Sequence, residues 1–415
     1  MTKYYPLKGV KVIALEQYIS GPYCSMWLAD AGAEVIKIER PDTGEPRRNY
    51  MPVIKDEDGN EAYGGFISYN RNKQSLVLDV KTEEGKKIYK ELIKEADVVI
   101  ENMKPGTVEK LGIDYEVLKE INPKLIYAAI SGFGRDKDNP GVYSDRPAFD
   151  PVIQAMGGIM HLIGEAHNPP MWGFYGLADL YTGTVTVNQI LLALFMRERT
   201  GEGQFIDSSM YDNMVSLNER AIMLYSFTGE VAMRGKENFQ APAGVYRTAD
   251  DGYVALIVAN DMIWKRFCVA INREDLIENP KTKTGTARAA NKDFLNPLVE
   301  NWILGRTRDE IVSIFNKQGV PVGPIQTSED LMNCPQLKTR NMLIDVKDPV
   351  AGNLVLARTP LSLSKAESVP TNSAPRLGEH TEKILRDVLK YDDEKISDLY
   401  KNKVIQSQKT FTKIK

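Results

Sequence analysis

The chain has 415 residues, too many for one compact core, so two domains or one large domain with an insertion is the expectation. Hydrophobic residues at 42% and charged residues at 26% are ordinary globular usage, and 53 basic against 56 acidic side chains leave a formal charge of −3. That balance does not suggest bulk affinity for nucleic acid or membrane surfaces. Cys24, Cys268 and Cys334 are scattered without CxxC spacing, which gives neither a disulfide framework nor a zinc site and fits a reducing cytoplasm. No apolar run approaches the roughly 20 residues that a membrane span needs, and the N-terminus carries no secretory signal.

In chain order, "VKVIAL" reads as a strand, "GPYCSMWLADAG" as a helix stopped by Gly32, and "EVIKIE" as a second strand, which together make a βαβ unit. "SLVLDV", "ADVVIEN" and "KLIYAAISGFG" are further buried strands, with "KTEEGKKIYKELIKE" a helix between two of them. An α/β parallel sheet is therefore expected over the first 130 or so residues. A long helix is expected over 180–198, and "RTGEGQFIDSSM" reads as turn, strand and helix start. A hairpin around Asp250 to Gly252 and helices over 261–270 and 293–302 define a smaller α+β unit. "GNLVLARTPLSLS" then returns as strand, "GEHTEKILRDVLKYDDEKISDLYK" as helices, and residues 405–415 as a frayed polar tail. The resulting division is 1–200 for a large domain completed by about 345–405, 201–224 for a linker, 225–335 for a small domain, and 336–415 for the return segment and tail.

Glu39 at the end of the second strand invites a dinucleotide reading. The turn after the first strand, "EQYISGPYC", has one glycine where the pyrophosphate fingerprint requires G-x-G-x-x-G, so the phosphate cradle is not built.

Seven stretches together resemble the class III CoA-transferases, the CaiB/BaiF family. They are "SGPYCSMWLADAGAEVIKIERP", "YNRNKQSLVLDVKTEEGK", "ENMKPGTVEKLGIDYEVLKEINPKLIYAAISGFG", "GLADLYTG", "RTGEGQFIDSSMYD", "GVPVGPIQTSEDL" and "APRLGEHTEKIL", in the family's order and over nearly the whole chain. The resemblance implies an α/β fold with a Rossmann-like large domain and a small α+β domain, in an interlocked, ring-like homodimer. It implies transfer of CoA from an acyl-CoA to a free carboxylic acid, with coenzyme A as substrate and neither a resident cofactor nor a metal.

By the same resemblance the nucleophile is Asp179 in "GLADLYTG". Arg40, Asn72, Lys73, Asn102, Met103 and Lys110 fall on positions that line the CoA site, Lys104 is a further cation beside them, and Tyr18, Ile19 and Ser20 form the loop at the thioester. The chemistry independently favours a carboxylate, because acyl transfer between acids conserves thioester energy only through an anhydride and an aspartyl-CoA thioester, both of which water would destroy. A closed apolar pocket formed by Trp172, Phe174, Tyr175 and Leu180 is therefore expected around Asp179, with the dipoles of its helix holding it ionised. The plain alternatives are that Asp179 is a helix cap, that each lysine is ordinary surface charge, and that Cys24 is core.

The formyl-CoA:oxalate branch has glutamine at Ile19, tryptophan at about Tyr50 and a glycine-run flap that "RGKENFQAPAGVY" lacks, which argues against oxalate as acceptor. Apolar Ile19 would suit a larger acyl group or simply pack the loop. The racemases of the same fold carry a histidine where "RPAFDP" has Phe149, so proton transfer next to a thioester lacks its base. A catalytically silent acyl-CoA-binding subunit is the remaining alternative.

Overall fold

The computed structural model describes residues 3–235 and 241–407. Two compact units divide the chain. One comprises residues 1–163, 170–229 and 339–415, and the other 164–169 and 230–338.

The larger unit opens with β1 (Lys11–Leu15), α1 (Ser20–Asp30) and β2 (Glu34–Glu39), followed by a hairpin of β3 (Val53–Lys55) and β4 (Glu61–Tyr63) and by α2 (Gly64–Asn70). Next come β5 (Gln74–Leu78), α3 (Glu83–Ile93), β6 (Val98–Glu101), α4 (Thr107–Leu111), α5 (Tyr115–Ile121) and β7 (Ile126–Ser131). After α6 (Asp150–Met156) and α7 (Ile159–Leu162), the 24-residue α8 (Leu177–Thr200) leads into β8 (Gln204–Ser209). β1, β2, β5, β6, β7 and β8 are mutually parallel and lie in the order β5-β2-β1-β6-β7-β8. All but the first residue of β2 and every residue of β7 are buried, as expected of parallel strands covered on both faces. One face carries Ile13, Leu15, Tyr89, Val99 and Leu118 together with the C-terminal helices at Thr381–Asp387 and Asp393–Lys401. On the other face Val12, Ala14 and Ile100 pack under α1, α6 and α8.

Two expectations are corrected in this unit. Residues 201–224 are not a linker: β8 pairs with β7 through six residues, Ile126 with Gln204 to Ser131 with Ser209, and helix Met210–Leu217 follows it. Nor does the tail fray from residue 405. Ile405 is buried and, with Gln406, pairs antiparallel to β5, because Val404 and Ile405 complete an apolar cluster that water would otherwise reach. Residues 408–415 lie outside the described residues.

The smaller unit has a three-stranded antiparallel sheet, β9 (Ala243–Arg247), β10 (Tyr253–Ile257) and β11 (Val322–Pro324). Its core stacks Trp264, Phe267, Phe315 and Trp302. Residues 236–240, within the segment read as lacking the glycine flap, lie outside the described residues. Among the described residues no helix is long and apolar enough to cross a membrane, and no group of three or more His, Cys, Asp or Glu side chains is placed to hold a metal ion.

Candidate active site

The strand order fixes where a ligand can enter. From β1 the chain builds to one side through β2 and β5, then crosses to the other side with β6, so the loops after β1 and β6 part and leave a crevice at the carboxyl ends of the strands. The loop after β1 is Glu16 to Ile19, and Asn102 follows β6. Asn102 Oδ1 accepts the Gln17 amide at 2.8 Å, while its Nδ2 donates to Gln17 O at 2.7 Å and to Ser20 Oγ at 3.4 Å. Tyr18 takes a left-handed conformation, φ 64°, and its amide donates to Glu45 Oε2 at 2.9 Å. A strained non-glycine residue in this loop is held by side chains from other segments.

α8 brings Asp179 to this crevice. Its first turns pack on the start of α1, where Gly183 is required: a Cβ there would stand 2.9 Å from Ser20 O and 3.1 Å from the Tyr23 ring. Gly176, at φ 88°, begins the helix with no side-chain cap of its own. The cap comes from Asp150 in α6, only 3% exposed, whose Oδ1 accepts the Ala178 amide at 2.8 Å and Oδ2 the Gly176 amide at 3.1 Å. Gln154 joins this clamp, donating to Asp150 Oδ2 at 2.8 Å and accepting from the Gly173 amide at 3.2 Å. Asp179 is thus not the cap of its helix.

Burial, and then the like charge of Asp150, push the Asp179 carboxyl up to about 7, against the pull of the Ser20 hydroxyl and the Arg47 cation. Against the expectation of an acid held ionised, desolvation and a second carboxylate favour its neutral form. Tyr23 and Tyr69 meet edge-to-face at 6.0 Å, and the phenol of Tyr69 senses Asp179, Tyr23 and Tyr175.

A single chain does not by itself close the expected apolar pocket. Trp172, Phe174 and Tyr175 stand exposed on this chain, Tyr175 by 61%. Phe149, at the histidine position of the racemases, is exposed as well, its ring 5.7 Å from that of Tyr18.

Of the residues expected to bind CoA, Tyr18, Ser20, Asn102 and Met103 gather at the crevice, Met103 with its amide on Glu101 Oε2 at 2.8 Å. Arg40, Lys104 and Lys110 are exposed, and Arg40 Nε donates to Gly44 O at 2.8 Å. Ile19 is 2% exposed with its Cδ1 against Gly176, so it packs the loop rather than lining an acyl pocket.

Lys73 and Asn72 are turned to protein partners. Lys73, 4% exposed, donates to Glu16 Oε1, Pro22 O and Asn70 Oδ1, each at 2.9 Å, and burial draws it down to about 8 despite Glu16. Asn72 donates to Asp30 Oδ1 at 2.7 Å and Pro370 O at 2.9 Å. Both side chains are consumed in tying α1 and the C-terminal segment to the sheet. Glu39, the acid that invited a dinucleotide reading, is likewise consumed: Arg48 donates to it at 2.6 and 2.7 Å. Cys24 is wholly buried, and burial raises its thiol well above the usual range, as befits core.

Arg47, Tyr23, Tyr69 and Asp150 were not singled out from sequence. The available signals were the doubled arginine in "PRRNY", the tyrosine in "SYNRNK" and an acid in "RPAFDP".

The strand order is that of a parallel-rich α/β fold with an acid, Asp179, set at its switch-point crevice. The family model described as CoA-transferase family III matches residues 7–381, and the chain belongs to that family. It is 38% identical over 383 residues to a succinyl-CoA:mesaconate CoA-transferase of Haloarcula hispanica, covering 91% of this chain and 95% of that one. It is 32% identical over 406 residues to a succinyl-CoA–D-citramalate CoA-transferase of Chloroflexus aurantiacus, covering 96% and 98%. Among solved structures, a CaiB/BaiF family protein from Brucella suis superposes with a TM-score of 0.83 at 37% identity, covering 93% of this chain and all of the other.

Proposed function

We propose that this protein moves CoA from an acyl-CoA donor to a free carboxylic acid, with Asp179 carrying the acyl group and then the CoA. An Asp179 oxygen attacks the thioester carbonyl, the C–S bond breaks, and CoA leaves as thiolate from a mixed anhydride. The thiolate attacks the aspartyl carbonyl, releasing the donor acid and forming an aspartyl-CoA thioester. The acceptor carboxylate displaces CoA to form a second anhydride, and CoA attacks its acyl carbon, giving the product and a free Asp179. Each bond made matches one broken, and no water is consumed.

The observation that carries this reading is the Asp179 carboxylate itself, left free because Asp150 caps α8, set at the crevice between the β1 and β6 loops, and pushed up to about 7 by burial and then Asp150. Near neutral pH such an acid is both sufficiently ionised to attack and poorly solvated, which favours its reaction with an acyl carbon. In this reading Tyr18, Ser20, Asn102 and Met103 bracket the pantetheine arm. Arg40, Lys104 and Lys110 meet the phosphates. A second copy of the chain covers the exposed Trp172, Phe174 and Tyr175 and closes the site against water. The two units serve as the CoA-binding and small domains of a cytoplasmic homodimer.

Replacing Asp179 by Ala tests the assignment. Exchange of labelled CoA should fall by about 10⁴-fold or more with the protein folded, and turnover retained within tenfold would refute it.

A further inference from the structure

Arg47 and Arg48 adjoin in a 3₁₀ turn over Pro46–Asn49 and are treated differently. Arg48 is neutralised by Glu39 and spends a further donor on Pro375 O. Arg47 is only 7% exposed and makes one hydrogen bond, Nε to Gly65 O at 2.7 Å. Its guanidinium lies 5.2 Å from the ring centroids of both Tyr50 and Tyr69. Among the described residues no acid lies within ion-pair distance of it, and Nη1 and Nη2 have no hydrogen-bond partner. Tyr69, on which the guanidinium lies, meets Tyr23 edge-to-face at 6.0 Å, and the Tyr23 ring packs on Gly183, one turn along α8 from Asp179, so the idle donors face the same crevice.

The residue is buried but its Nη donors keep a path to solvent, so two parallel donors that no protein group uses are open to an incoming anion. The planar fork matches a carboxylate bidentately, and the flanking tyrosine rings hold the plane in place. Asp179 stands beyond ion-pair reach and does not satisfy it. An anion between them would carry one end to Asp179 and the other to Arg47.

We propose that Arg47 binds the remote carboxylate of a dicarboxylic substrate while the other end of the molecule reacts at Asp179. The substrate class is then short dicarboxylic acids and their monothioesters. This rests on Asp179 being the acyl acceptor, and it adds a residue that selects which acids are used. The glycine at 65 belongs to the device, because a Cβ there would stand 2.5 Å from the Tyr50 side chain and displace that ring from Arg47.

The test compares two homologous exchanges, labelled succinate with succinyl-CoA and labelled butyrate with butyryl-CoA, so that each assay contains one kind of acid. The wild type should favour the succinate pair by about 10²-fold in kcat/KM, the usual weight of a charge-assisted bidentate contact. Arg47→Gln should bring that ratio close to one, chiefly by raising KM for succinate, and Arg47→Lys should recover part of it. Asp179→Ala should silence both pairs. A wild type that uses butyrate as well as succinate, or an Arg47→Gln protein that loses both exchanges in equal proportion, overturns the proposal while leaving the transferase reading intact. Exchange of neither pair by the wild type removes both. Should Arg47→Gln fail to fold, wild-type inhibition by succinate against its half-amide, succinamate, decides the point: equal inhibition contradicts a carboxylate contact.

Discussion

Two groups of acids at the carboxyl end of the sheet, one wholly buried and one holding the half-buried Asp179, are kept in opposite states. Under the β1 loop, Glu16 and Glu39 are pulled below the usual carboxylate range, Glu39 to about 2, because Lys37, Lys73 and Arg48 outweigh the burial that would raise them. In the crevice above, Asp179 has a second acid beside it rather than a paired cation and rises to about 7. Burial raises the acids of both groups; nearby cations overcome it at Glu16 and Glu39, whereas Glu45, although beside Lys37, and Asp179 stay raised.

The largest effect should come from stripping the lower cluster of a cation. Lys73→Met leaves Glu16 with the Ser25 hydroxyl at 2.6 Å and, as cation, Lys37 at 3.5 Å, and should lower unfolding free energy by about 3 kcal/mol in urea titrations at pH 7. A loss under about 0.5 kcal/mol would show Glu16 to be adequately served without it.

A smaller effect of opposite sign is expected in the crevice. The native pKa of Asp179 exceeds its unfolded value of 3.8, so the native state binds more protons between those values and stability declines as pH rises through about 7. Asp179→Asn should remove that decline and stabilise the protein at pH 8 by about 1–3 kcal/mol, with little effect at pH 4. Parallel stability–pH curves for the two proteins would contradict the raised pKa.

The smallest change concerns Asp150. In the free enzyme, kcat/KM should rise with pH to a plateau above about 7 as Asp179 ionises. Asp150→Asn removes the like charge and should move that limb to lower pH by about one unit or less. A limb that stays in place would mean burial alone sets the pKa.

Much of the frame was legible because parallel strands buried on both faces are plain apolar runs: β1, β2, β5, β6 and β7 all coincide with the stretches read as strands. What escaped depends on partners distant in sequence. The start of α8 at Leu177 is set by Asp150, 27 residues earlier, so no local signal marked it. β8 was visible as a strand, yet its place at the sheet edge rests on pairing with β7 more than 70 residues away. Lys73 matched a family position, but its 2.9 Å contact with Glu16 crosses 57 residues and takes it out of reach of a phosphate. Arg47 was hidden for a complementary reason: two adjacent arginines look alike until one is seen to have found an acid and the other not.

The most direct measurement is the mass of the peptide that contains Asp179 after the enzyme is incubated with an acyl-CoA and quenched with hydroxylamine. Acyl transfer through this carboxylate predicts a hydroxamate on Asp179, dependent on acyl-CoA and absent from Asp179→Ala. An unmodified Asp179 under conditions where CoA exchange continues, or a hydroxamate on any other residue, would contradict it.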